Sequence, residues 1–218
     1  MGLVAECCSN DQIDAPIAKR RNYQSDSNDV LTVYGDYFDQ DTRSIIAICD
    51  IAGLKPKVEV IDTFKAEHMS DSFTKLNPAQ SIPVLVIPDS EPSVVTGDGG
   101  ISSLYNAVVS TQPEVDETLY PAEQYGEISS LMLWHKKTLR KTTARIITAA
   151  LSSSGNARDS CKVVGSLKTD IDALFKEDLL ECEKRLVGGQ KHLTGEQLSM
   201  LDVMIYCEIS TITILTKE

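Results

Sequence analysis

Strand-like patterning in this chain stops near residue 96, and beyond residue 121 only helical spacing remains. Chains divided this way pack as an α/β unit followed by an all-helical unit. Val30-Leu31-Thr32-Val33-Tyr34 is β-branched and aromatic and closes at Gly35, so it predicts a buried strand. Ile45, Ile46, Ile48, Cys49 and Ala52 recur at helical spacing, with Gly53 as the stop. Val58 to Ile61 predicts a second strand. The resulting β-α-β unit requires a parallel pair joined by a right-handed crossover.

The stretch from Lys65 to Leu76 predicts one polar helix, broken by Asn77-Pro78. Ile82 to Ile87 predicts a strand led by a proline, and Ser93 to Thr96 a short partner in a hairpin. Gly97-Asp98-Gly99-Gly100 then leads into a helix through Ile101, Leu104 and Val108. A Glu-, Asp- and Pro-rich stretch at 112–121 reads as a linker. After it, one long helix runs from Ile128 toward Ser152, with a loop at 152–156. A second passes through Ile171, Leu174, Leu179, Cys182 and Leu186 to Gly188-Gly189, and a third starts near Ser199. Residues 1–29 are polar with little periodicity and read as a flexible extension.

The formal net charge is −11, which argues against a nucleic-acid partner because phosphate binding needs clustered Lys and Arg. The six cysteines form no Cys-x-x-Cys pair, so neither a dithiol redox site nor a zinc ribbon is expected. Their scatter reads as reduced thiols in the cytoplasm. No run is long enough for a transmembrane helix. Met1-Gly2 with Cys7 and Cys8 raises lipid anchoring, but Glu6 stands where a myristoylation signal wants Ser or Thr, so two exposed thiols are expected instead. Lys136, Lys137, Arg140, Lys141 and Arg145 cluster on one helix and read as a solvated face, with docking of an acidic partner as the sharper alternative.

Two motifs are specific. In Ser199-Met200-Leu201-Asp202 the serine can cap a helix while Asp202 reaches back to its amide, and Leu198 and Val203 are spaced as a hydrophobic staple. Ser81-Ile82-Pro83 opens an apolar strand with a residue that cannot donate to a ladder, which points to an edge or a special turn.

With these two motifs, and with the run from Lys65 through His68 and Phe73 to Leu76-Asn77-Pro78, the sequence resembles the glutathione transferase superfamily, in particular its theta-like branch. The resemblance spans about residues 30–218 and implies an α/β thioredoxin-like N-terminal domain plus an all-α C-terminal domain, the glutathione transferase fold. On that reading 30–111 is the thioredoxin-like, glutathione-binding domain, 112–121 the linker and 122–218 the helical domain. The implied co-substrate is glutathione, with a small electrophile as its partner in reaction. A homodimer, or a subunit of a protein assembly, is the implied state.

The resemblance also points to site residues. Ile82 and Pro83 would form the cis-proline loop that pairs with the cysteinyl backbone of glutathione. His68 would contact its glycine end, where Ser81 replaces an expected lysine. Asp98 and Gly99 fall where an acid followed by serine would hold the γ-glutamyl end, with Asp98 in place of either. A Ser-x-Pro-x-Arg motif is expected at the first helix; here Asp39-Gln40-Asp41-Thr42-Arg43 keeps only the arginine. An ionised Asp39 beside a forming thiolate would raise the thiol pKa. Tyr37 and Thr42, with Tyr34 nearby, are the hydroxyls that could replace the serine. Two functions follow: a transferase with a degraded active site, conjugating glutathione to small electrophiles, or a non-catalytic interaction or structural subunit on the same fold. Family members continue with further helix after the capped one, so a wall of the electrophile pocket is expected to be missing or supplied by a partner.

Overall fold

The computed structural model describes residues 30–88, 93–97, 100–152 and 168–216. The leader with Cys7 and Cys8, the Asp98-Gly99 pair and the loop expected after Ser152 lie outside these. Strand β1 (Thr32–Gly35) leads into helix α1 (Gln40–Ile51) and strand β2 (Lys57–Val60). Strands β3 (Val84–Val86) and β4 (Val94–Thr96) follow. The sheet order is β2-β1-β3-β4, with β1 parallel to β2 and antiparallel to β3, and β3 antiparallel to β4. This is the β-α-β unit plus hairpin expected from the sequence, and it confirms the thioredoxin-like half of the fold.

The polar helix expected over 65–76 is two pieces. A 3₁₀ turn at Glu67–Met69 precedes α2 (Asp71–Leu76). Ala66 has a φ of 57°, and Ser70 is extended with its hydroxyl accepting from the Phe73 amide at 3.3 Å. Ser70 is thus a helix N-cap, and an N-cap residue cannot continue a helix that came before it.

Helix α3 (Ile101–Thr111) buries Ile101, Leu104, Tyr105 and Val108 against the sheet. The 112–121 stretch carries helix α4 (Glu114–Leu119), and its Val115 and Leu119 join the same core. Two apolar residues four apart give it one buried stripe, a signal that the acidic composition of the stretch obscured.

The long helix is continuous but not uniform: α5 (Tyr125–Trp134), a π turn (His135–Leu139) and α6 (Arg140–Ser152). The second has the same make-up, with α7 (Lys168–Ala173), a π turn (Leu174–Asp178) and α8 (Leu179–Val187). Helix α9 (Met200–Thr216) closes the described chain. Among the described residues no strand lies beyond Thr96; His192 and Gly195 form only an isolated bridge.

Helix α9 joins the two cores. Met200, Val203, Met204 and Cys207 pack with the sheet, α1 and α3. Leu201, Ile205 and Ile212 pack with α5, α6 and α8. A helix apolar on two sides must be buried between two layers. Its start is locked as expected: Ser199 N donates to Asp202 at 2.8 Å, and Asp202 also accepts from the Leu193 amide at 2.8 Å. Leu198 packs against the core that holds Val203.

Candidate functional site

The sheet register builds one end of the site. Tyr34 pairs with Val84, which sets Pro83 beside Gly35 at the end of β1. The Ile82-Pro83 bond is cis and Pro83 is buried. The ladder begins at Val84, leaving the Ile82 backbone outside it. Gly97 donates its amide to the Pro83 carbonyl at 3.1 Å, so the chain entering α3 lies against the cis-proline. Pro83, Gly97 and the start of α3 therefore meet at one edge, although Asp98 and Gly99 themselves fall outside the described residues.

The first turn of α1 builds the opposing end. Asp39 is its N-cap: one carboxylate oxygen accepts from the Thr42 amide at 2.6 Å and the Thr42 hydroxyl at 2.8 Å. Thr42 is fully buried and pressed on Gly35, where an added Cβ would sit 2.4 Å from the threonine hydroxyl. Burial, then the charge of Asp41, push the Asp39 carboxyl up to about 6, against the lowering effect of the Thr42 hydrogen bonds. At neutral pH it is still mostly a carboxylate.

The loop between β1 and α1 is pinned from below. Asp36 accepts from the Phe38 amide at 2.9 Å and from the Thr63 hydroxyl at 2.6 Å. Tyr37 on this loop is 49% exposed. Tyr34 is half-buried in the strand.

The remaining expected residues are placed as follows. Ser81 accepts from the Asn77 side chain at 3.0 Å, and Asn77 is buried. His68 sits half-buried on the 3₁₀ turn, with its Nδ1 buried and without a partner. No hydrogen bond or ion pair links it to Asp39 or Pro83 among the described residues. Arg43, the one retained residue of the expected motif, donates to the carbonyls of Tyr37 (2.6 Å) and Phe38 (2.9 Å) and to the Cys207 carbonyl of α9. It ties α1 and its loop to the last helix.

A buried polar cluster behind α1 escaped the sequence reading. Asp41, at the position expected to hold proline, accepts from two nitrogens of Arg140 at 2.7 and 3.0 Å. Arg140 also contacts Glu208, which His135 meets at 3.2 Å and the Thr143 hydroxyl bonds directly. Burial alone would push the fully buried Glu208 carboxyl up; the His135 and Thr143 hydrogen bonds and the Arg140 charge outweigh it and hold it low. The π turn explains why His135 and Arg140, five apart, reach one carboxylate, since π geometry stacks residues at that spacing. Arg140 thus leaves the basic cluster as an internal ion-pair partner, while Lys136, Lys137 and Lys141 stay exposed.

No family model matches the chain. It is 25% identical over 192 residues to Glutathione S-transferase T1 of Arabidopsis thaliana, covering 86% of this chain and 75% of that protein. It is 24% identical over 178 residues to Glutathione S-transferase theta-2 of Rattus norvegicus, covering 80% and 68%. Human glutathione transferase theta-2, solved with glutathione and an unknown ligand, superposes with a TM-score of 0.68 at 20% identity over 86% of this chain and 74% of that one. The chain is similar in sequence to theta-class glutathione transferases and shares the glutathione transferase fold.

A transferase from Phanerochaete chrysosporium solved with oxidized glutathione also shares the fold, with a TM-score of 0.66 at 14% identity over 88% and 82% of the two chains. The Ile82-Pro83 bond is cis as the sequence resemblance leads one to expect, and the first turn of α1 carries two carboxylates, Asp39 and Asp41. The described residues of this transferase-like protein hold no group of side chains fit for a metal ion, and no helix among them is long and apolar enough to cross a membrane.

Proposed function

We propose that this protein binds glutathione between the first turn of α1, Pro83 and the start of α3, and that it conjugates glutathione to electrophiles only slowly. Free amides at a helix N-terminus suit the γ-glutamyl carboxylate, and the Ile82 backbone outside the ladder is free to pair with the cysteinyl backbone. The unpartnered His68 Nδ1 suits the glycine end. One observation carries the weak activity: the Asp39 carboxylate holds both Thr42 donors, so the buried hydroxyl of this turn is not available to a sulfur. The thiolate is the nucleophile, and a carboxylate beside it favours the protonated thiol.

Calorimetric titration with glutathione should give saturable heat at millimolar ligand; no heat overturns the binding assignment. Asp39→Ser keeps a good N-cap residue and supplies a hydroxyl. It should raise the rate with 1-chloro-2,4-dinitrobenzene at least about tenfold, a lower bound set beneath the roughly 10²–10⁴-fold that a positioned proton-transfer group contributes. Unchanged turnover with intact binding overturns the role given to Asp39.

A second reading, a non-catalytic interaction subunit, is supported by the apolar residues α8 leaves outside: Leu180, Leu186 and Val187, the last 76% exposed. It predicts a stoichiometric protein complex without glutathione heat. In either reading a reducing, cytoplasmic setting is supported by the unpaired, buried Cys49, Cys182 and Cys207. The homodimer expected of the family is checked by sedimentation equilibrium.

A further inference from the structure

A cleft of about 520 Å³ lies between α3, α4 and the start of α5. Its walls include Tyr105 from α3, Tyr120 after α4 and Tyr125 at the start of α5. Tyr120 and Tyr125 meet at 89° with centroids 5.2 Å apart, so their rings form a corner. Tyr105 stands 6.1 Å from Tyr120 at 51°. The hydroxyls of the two inner rings are taken: Tyr105 donates to Asp116 at 2.9 Å, and Tyr120 shares a hydrogen bond with Ser129 at 2.7 Å. Those bonds fix the rings in place.

The charge at this cleft is of one sign. Asp116 and Glu117 line it, and no Lys, Arg or His does. No ion pair engages either carboxylate among the described residues. The Met132 thioether adds a polarisable wall. Aromatic faces are negative at their centres and attract cations that are weakly hydrated. Two perpendicular phenol rings, a third beside them and two carboxylates without a cationic partner among the described residues thus combine the two attractions a quaternary ammonium needs. The size is within the range of small-molecule sites. An anionic ligand such as glutathione would be repelled by Asp116 and Glu117; the cleft has neither Asp39 nor Pro83 in its lining, touches the first turn of α3 through Ser102, and the inference does not rest on the reading above.

We infer that the cleft between Tyr105, Tyr120 and Tyr125 is a binding site for a small quaternary or alkylated ammonium compound. The test uses choline and its uncharged isostere 3,3-dimethyl-1-butanol, titrated calorimetrically into the wild-type chain. Choline should bind with a Kd on the order of 1 mM, and the isostere at least about fivefold more weakly, because only the charge differs. Tyr125→Phe, which keeps the aromatic face, should bind choline within about twofold of wild type, and Tyr125→Ala at least about fivefold more weakly. Glu117→Gln should weaken choline about twofold to threefold. Equal affinity for the two isosteres, no saturable heat at tens of millimolar choline, or unchanged binding in Tyr125→Ala each overturns the inference. Tyr125 is 60% exposed, so its replacement leaves the core in place. Should a variant nonetheless fail to fold, the isostere comparison on wild type decides alone.

Discussion

Arg140 on α6 grips Asp41 on α1 with two guanidinium nitrogens, at 2.7 and 3.0 Å, while its Nε lies 2.5 Å from the buried Glu208 of α9. One side chain thus holds three helices, and it does so directly behind the turn that Asp39 caps. Arg43 makes a second tie in the same direction, from the loop of Tyr37 and Phe38 to the α9 backbone. The first turn of α1 is thus tied into the helical layer by charge.

Removing Arg140 strands Glu208. Arg140→Met should destabilise the fold by about 3–5 kcal/mol, the cost of an uncompensated buried charge. Adding Glu208→Gln should recover most of that loss, since the remaining amide carries no charge. Urea denaturation of the two single variants and the double variant measures the coupling; strictly additive losses would show that the pair does not interact.

Asp39 gives the stability a pH dependence of its own. Its carboxyl is raised from 3.8 to about 6 in the folded chain, so between those values the native state holds the extra proton. Stability from this group is full below about pH 4 and is lost as pH rises through 6, by up to about 3 kcal/mol. Asn caps helices as well as Asp. Asp39→Asn should therefore be more stable than wild type at pH 7.5, with the gap closing at pH 4. Thermal melts at the two pH values test this, and a gap that widens toward acid contradicts it.

Gly35 is a packing requirement. A Cβ there would lie 2.4 Å from the Thr42 hydroxyl and 2.5 Å from its methyl, with Thr42 itself buried. Gly35→Ala should cost about 1–3 kcal/mol, the usual penalty of overpacking. Combining it with Thr42→Ser, which removes the methyl, should return part of that loss in chemical denaturation.

The buried thiols should be inert. Burial, then the charge of Asp50, push Cys49 up to about 12; burial, then Glu181, push Cys182 up to about 11. At pH 8 neither carries appreciable thiolate, the form that reacts. Iodoacetamide labelling read by peptide mass spectrometry should leave both unmodified in the folded chain and modify both in urea.

The order of elements, strands first and helices after, was legible from the sequence, because strand and helix periodicities depend only on which neighbours are apolar. The sequence also determined the Ser199–Asp202 box and the proline-led strand, whose partners lie within three residues or in the adjacent turn. It misplaced what depends on burial or on distant partners. Helix α4 was hidden because two apolar residues in an acidic stretch reveal a buried face only once α3 and the sheet provide the surface. The single helix at 65–76 divided because a serine inside a helical run can equally well cap a new one. Asp41 read as a lost proline, since its partner Arg140 is far along the chain and reaches it only through a π turn. Asp39, legible as a substitution, became a capping carboxylate titrating near 6 only when the fold buried it beside Thr42 and Asp41, because desolvation and close charges act through space and not along the chain.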